Sequence, residues 1–268
     1  MAGSASGTIR VGVGGWDYDP WRRTFYPADL PRARQLEYAA ARLTAVEINA
    51  TFYKLQRREL FERWAAAAPA GFKFAVKASR YCTNRKVLGD AGEGIERFCA
   101  QGFTALGDAL GPILWQLAPT KRFDPGEIGA FLELLPASQD GLALRHALEP
   151  RHESFRCAEF VALARAAKVA IVFADHGEYP QIADPTSDFV YTRLQRTREE
   201  EPDGYAASEL DHWAEVLTSW ARGESPPALA YVGEPAAAAG PRDVYAFVIS
   251  GAKVRNPAAA RALIERLA

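Results

Sequence analysis

Val46-Glu47-Ile48-Asn49-Ala50-Thr51-Phe52-Tyr53 reads as a buried strand that runs into polar residues. Apolar residues flank a carboxylate, and an Asn, a Thr and a Tyr follow where the strand must stop. A desolvated carboxylate is costly unless it is paired, hydrogen-bonded or bound to a cation, so a chain that keeps Glu47 there has a use for it. The same grammar returns at Phe74-Ala75-Val76-Lys77, Ile113-Leu114-Trp115-Gln116, residues 144–149 and Ile171-Val172-Phe173-Ala174-Asp175. Polar groups closing several apolar strands point to one shared pocket.

Outward from this stretch, strand-like and helix-like segments alternate along the whole chain. Strands are expected at 9–13, 45–48, 72–77, 113–117, 142–148, 169–174, 189–194 and 243–249. Helices are expected at 32–43, 59–68, 93–110, from Pro125 to near Pro136, at 157–167, from a Ser208 cap onward, and from Asn256-Pro257 to the end. Asp124-Pro125 is a helix start, with Asp as the cap and Pro where its missing N–H costs nothing. Residues 176–187 carry Pro180 and Pro185 and read as loop. Alternation of this kind implies a parallel sheet. Eight units in 268 residues fit one (β/α)8 barrel domain over 9–268, with one crossover lacking a helix. The rival is an open, doubly wound sheet. The stretch 225–241 reads as a surface excursion with a short strand at 229–232, and residues 1–8 as a flexible N-terminus.

Lys and Arg total 32 against 33 Asp and Glu, a net charge of -1, so bulk charge does not mark a nucleic-acid binder, although local basic patches are still open. Three scattered cysteines without a CxxC pair read as reduced thiols in a cytoplasmic protein. No run approaches the ~20 apolar residues of a membrane span, so no membrane partner is expected.

Gly12-Val13-Gly14-Gly15-Trp16 lacks the spacing of a dinucleotide fingerprint, and no P-loop is present, so the cofactor is left unknown. Trp16, Tyr18, Trp21, Phe25 and Tyr26 form an aromatic loop that either stacks a sugar or base or plugs the barrel. Glu149-Pro150-Arg151-His152 places a carboxylate, a guanidinium and an imidazole at one strand end. Glu149 reads as base, Arg151 as an anion clamp and His152 as proton shuttle. Their alternative is an internal ion pair with a backbone-bonded histidine. Asp175 and His176 end the sixth strand; with Glu47, Glu149 and His152 they offer metal-type ligands, but no spacing fixes a site and none is assigned. Lys77, Arg80, Arg85, Lys86, Lys121, Arg122, Arg193 and Arg196 give one rim a basic character unless Glu199, Glu200 and Glu201 neutralise it. Lys77 is also a Schiff-base candidate if it is desolvated.

These blocks resemble the YecE-like proteins, domain of unknown function 72. The resemblance rests on Val11 to Trp16, Trp21-Arg22, Phe25-Tyr26-Pro27, Val46 to Asn49 with Thr51-Phe52-Tyr53, Phe74 to Lys77, Leu110-Gly111-Pro112, Gln116-Leu117, Arg151 to Ser154 and Tyr191 to Leu194. It implies a TIM-barrel-like fold in one domain and leaves the reaction open. Two blocks depart from the family pattern: Gln195-Arg196 stand in place of His-Gly, and Ile249 to Lys253 in place of Asn-Asn-Asp.

Three functions follow as expectations. The first is an enzyme acting on a small anionic ligand, sugar-phosphate or nucleotide-like, at the C-terminal strand ends. There Glu47, Glu149, His152 and Asp175 are catalytic, and Trp16, Asn49, Tyr53, Lys77, Gln116, Arg151 and Arg193 bind the ligand. The second is a nucleic-acid-processing or nucleic-acid-binding barrel, metal-dependent or not. The third is a non-catalytic metabolite-binding barrel.

Overall fold

A computed structural model describes residues 6–233 and 240–268; the expectations for 1–5 and 234–239 lie outside the described residues. Eight parallel strands close into a barrel: β1 Ile9–Gly14, β2 Ala45–Ile48, β3 Lys73–Lys77, β4 Leu110–Gln116, β5 His146–Glu149, β6 Ala170–Asp175, β7 Phe189–Leu194 and β8 Asp243–Val248. They pair in chain order, and β8 returns to β1. Outside run α1 Gln35–Ala40, α2 Arg58–Ala66, α3 Gly92–Cys99, α4 Pro125–Glu133, α5 Ala158–Ala166, α6 Ala207–Ala221 and α7 Asn256–Leu267. No helix joins β6 to β7, as the prolines of that crossover imply.

The barrel interior is filled unevenly. Ala45, Ala75, Ala147 and Ala170 on β2, β3, β5 and β6 leave room that Phe189, Tyr191, Tyr245 and Phe247 of β7 and β8 occupy. Small side chains on one arc and aromatic rings on the other keep the inner layer at native density. The larger apolar cluster lies between strands and helices, where Trp115 meets Phe98 and Phe131, and Phe173 meets Trp213 and Trp220. Gly7 N donates to Ala221 O at 2.9 Å and Thr8 N to Asp243 Oδ1 at 3.1 Å, which ties the approach to β1.

Four boundaries differ from the sequence reading, each for a local reason. The helix expected over 93–110 stops at Cys99, because Gly102 turns left-handed (φ 92°) and the chain continues to Ala109 in 3-10 turns. The strand expected over 142–148 is two pieces. Ser138–Gln139 and Leu142–Ala143 form a small hairpin about Asp140 (φ 48°) and Gly141 (φ 80°), the Asp-Gly turn that such a hairpin favours, before β5 begins. The cap of α6 is Ala206, not Ser208; its N–H donates to Glu209 Oε2 at 2.8 Å. Residues 229–232 are not a strand: Val232 N and Gly233 N both donate to the Asp184 carboxylate, at 2.8 and 2.9 Å.

At Gly12 the barrel wall has no room for a side chain, since an added Cβ would lie 1.9 Å from the Ala45 carbonyl oxygen of β2. Gly129 in α4 has open space around it. Gly12→Ala is expected to lose more than about 2 kcal/mol by chemical denaturation, through forced strand separation. Gly129→Ala is expected to gain about 0.5–1 kcal/mol.

Candidate functional site

Strand parity brings the site together. The inward residue two positions after an inner apolar side chain is polar on five strands: Ala45 then Glu47, Ala75 then Lys77, Leu114 then Gln116, Ala147 then Glu149, Tyr191 then Arg193. All five polar side chains are buried at the C-terminal mouth. Arg193 sits between the two carboxylates. Its Nη2 and Nε donate to Glu47 Oε1 and Oε2 at 3.1 and 3.2 Å, and its Nη1 donates to Glu149 Oε2 at 2.7 Å. Tyr191 OH donates to Glu47 Oε2 at 2.7 Å. Gln116 Nε2 donates to Glu149 Oε2 at 2.7 Å, and Arg151 Nε to Glu149 Oε1 at 3.0 Å. Burial pushes the Glu149 carboxyl up, but Arg193 and Arg151, with Gln116 and Lys77, hold it below the usual glutamate range. Burial and the neighbouring Glu47 charge raise the Tyr191 phenol well above its ordinary value.

Lys77 stands apart from this network. It is 7% exposed, and its Nζ lies 4.1 Å from the Phe52 ring centre. Among the described residues its ammonium has neither an ion-pair nor a hydrogen-bond partner, and the two carboxylates are bonded instead to Arg193, Arg151, Gln116 and Tyr191. Desolvation, reinforced by the Arg193 charge, lowers its pKa to about 8. The turn Ala50–Tyr53 fixes its backbone: Thr51 Oγ1 donates to Lys77 O at 2.7 Å.

Above this floor opens a cavity of about 650 Å³. Trp16, Asn49, Tyr53, Lys77, Gln116, Arg151 and Arg193, the seven residues expected to bind a ligand, all line it. Arg193 does so with its guanidinium already forked between Glu47 and Glu149, so it is an internal counter-ion rather than a free anion clamp. Glu47 and Glu149 lie just beneath the surface, fully buried. The aromatic loop divides. Trp21, Phe25 and Tyr26 pack into the core, with Trp21 Nε1 bonded to Lys253 O at 2.8 Å, whereas Trp16 and Tyr18 face the cavity.

Two expected catalytic residues do not join the cluster. His152 Nδ1 accepts from Ser154 N at 3.1 Å and pairs with Ser154 Oγ at 2.9 Å, so the imidazole caps the turn Glu153–Phe155. Asp175 falls out of phase: Ala170 and Val172 are the inner residues of β6, and Asp175 shares the outward parity of Ile171 and Phe173. It pairs with Arg196 at 3.6 Å; burial raises its pKa and Arg196 opposes the rise. His176 stacks on Tyr179 at 4.0 Å, and Tyr179 in turn lies 4.5 Å from the Arg151 guanidinium. Among the described residues no three His, Cys, Asp or Glu side chains gather as a metal site.

Sequence reasoning missed Tyr191, Tyr179 and Lys253. Tyr191 had a signal, the two-residue step back from Arg193 along β7. Lys253 had none; it lines the cavity from the loop after β8, 4.2 Å from the Tyr18 ring centre.

Arg193→Met removes the guanidinium of buried Glu47 and one of the two on Glu149, and is expected to cost about 3–5 kcal/mol in a denaturant titration. Arg193→Lys should fall between, since one ammonium cannot fork. The Glu149 contribution follows from its lowered pKa: it is present above the ordinary glutamate range and lost as acid protonates the folded carboxylate below it. Lys77 works with the opposite effect. Its folded pKa of about 8 lies below the ordinary 10.5, so the unfolded chain binds the extra proton between them and stability rises with pH across that window. Lys77→Met is expected to be more stable than the native chain at pH 7 by about 2 kcal/mol, or ~4–8 °C in Tm, and to lose that rise.

The structure is similar over 96% of its length to a DUF72 family protein from Thermotoga maritima, with TM-score 0.72, 22% identity and 97% of that chain covered. A DUF72 family protein from Enterococcus faecalis V583 matches over 97% of this chain and 98% of its own, with TM-score 0.68 and 14% identity. At these identities the likeness carries the fold. UPF0759 protein YunF of Bacillus subtilis (strain 168) aligns at 30% identity over 79 residues, 29% of this chain and 27% of that protein. The family model described as "Protein of unknown function DUF72" matches residues 10–268, nearly the whole chain, and the protein belongs to that family.

Proposed function

We propose that the protein is an enzyme that binds a small anionic ligand, sugar-phosphate or nucleotide-like, in the cavity at the C-terminal ends of its strands. The observation that carries this reading is charge balance. Three cations, Lys77, Arg151 and Arg193, face two carboxylates, Glu47 and Glu149, and the surplus charge is the ammonium of Lys77 at the cavity floor. A buried charge without a partner is costly until a ligand supplies one. At the rim Lys253 adds a cation and Asp17, 3.9 Å from Arg32, a carboxylate, and Trp16, Tyr18 and Tyr53 supply apolar surface for a sugar or base.

In this reading Glu47 and Glu149 are positioning residues that hold Arg193 and Arg151. Lys77, whose pKa lies near neutrality, is the group able to give or take a proton at the ligand. Several of the expected rim cations are already committed, which favours a small ligand over a nucleic-acid backbone. Lys121 pairs with Glu127 at 2.8 Å, Arg196 with Asp175 at 3.6 Å, and Arg85 Nε donates to Tyr81 O at 2.6 Å.

Isothermal titration with ribose 5-phosphate and with inorganic phosphate tests the reading. Binding is expected at pH 7, weakening as pH rises past about 8 while Lys77 loses its proton. Lys77→Met should weaken it at least roughly tenfold, the loss of one charged contact. Absence of binding by either probe at low salt, or binding untouched by Lys77→Met, contradicts it.

A further inference from the structure

We propose that Lys77 is a carbonyl-capturing amine and that the substrate is an aldehyde or ketone carrying an anionic group. The proposal rests on the anionic-ligand reading for the second half of that description alone. An amine attacks a carbonyl only as the free base, and a protein raises the fraction of a lysine in that form by desolvation and by withholding carboxylate partners. Both conditions hold at the end of β3. Nζ faces the 650 Å³ cavity, its other side lies against the Phe52 ring at 4.1 Å, and it has no ion pair among the described residues. Glu47 and Glu149, which favour the protonated amine, are paired with Arg193 and Arg151, and desolvation together with those guanidinium groups outweighs their pull.

The remaining lysines lack this setting. The chain has seven: Lys54, Lys73, Lys77, Lys86, Lys121, Lys168 and Lys253. Lys54, Lys86 and Lys168 are exposed, Lys121 is paired with Glu127, and Lys73 donates to the Asp108 carbonyl. Lys253 lines the same cavity, but at its rim against Tyr18.

The step balances without an oxidant or reductant. The Nζ lone pair forms a C–N bond to the carbonyl carbon, and a proton moves from nitrogen to the former carbonyl oxygen, giving a carbinolamine. That hydroxyl leaves with one further proton as water, and the product is a protonated imine. It retains the single positive charge of the original ammonium, so the charge balance with Arg193, Glu47 and Glu149 is preserved. The imine withdraws electrons from the adjacent carbon and thereby favours breaking a bond there. Lys253, and Arg151 through the guanidinium nitrogens it does not give to Glu149, line the cavity wall and are placed to hold the substrate's anionic group.

The test is reductive trapping. The native protein is incubated at pH 7 with dihydroxyacetone phosphate and sodium cyanoborohydride, and the adduct is located by peptide mass mapping. The expected product is a secondary amine on Lys77, heavier by the probe less one oxygen atom. It should form at least roughly tenfold faster than any adduct on Lys54 or Lys86, because the free-base fraction is larger. Inorganic phosphate should slow it, and Lys77→Arg should lack it while keeping the native circular dichroism. Labelling spread over the exposed lysines, or centred on Lys253, overturns the imine. If phosphate binds and no adduct forms at Lys77, the imine fails while the anionic-ligand reading stands. If neutral glycolaldehyde labels Lys77 as fast as the phosphorylated probe and phosphate does not compete, the imine stands and the anionic-ligand reading fails.

Discussion

A single guanidinium inside the barrel organises everything above it. Arg193 reaches across the barrel mouth from β7 and divides its nitrogens between Glu47 on β2 and Glu149 on β5. Two carboxylates at full burial would be untenable alone. With Arg193 between them, and with Tyr191, Gln116 and Arg151 completing their hydrogen bonds, they form a closed polar plate over the apolar inner layer. The plate also fixes strands from opposite arcs of the barrel relative to one another. Its consequence for chemistry is indirect: by consuming both carboxylates it leaves the ammonium of Lys77 with none.

The alternation of segments made the barrel legible, and the helix-less crossover was legible from Pro180 and Pro185. The cavity was legible for a simpler reason. A strand that buries both faces has an apolar pattern that any polar residue interrupts, and Glu47, Lys77, Gln116 and Arg193 are such interruptions. Proximity to a strand end was a poorer guide than parity. Asp175 closes β6 as Glu149 closes β5, yet it is one residue out of step with Ala170 and Val172 and lies on the helix side of the sheet. His152 lies beyond the strand, where the backbone of Ser154 competes for its ring. The Glu149–Arg151 pair and the backbone-bonded His152 were readable as the alternative the sequence offered for that cluster, whereas the Glu47–Arg193 pair was not, because it spans 146 positions across the barrel.

The residues that depart from the family pattern surround the site rather than build it. Ile249 and Ser250 line the cavity wall next to Lys253, and Arg196 shields Asp175. Glu47, Lys77, Gln116, Arg151, Tyr191 and Arg193 come from the blocks that resemble the family, whereas Glu149 lies two residues ahead of one.

The central claim is that Lys77 is a desolvated amine whose neighbouring carboxylates are spent on other partners. A carbon NMR titration of the lysine ε-methylene groups addresses it directly, since only seven resonances need resolving. The account predicts one resonance, absent from Lys77→Arg, that titrates near 8, below the ordinary lysine value of 10.5. A Lys77 resonance that titrates at that ordinary value would contradict it.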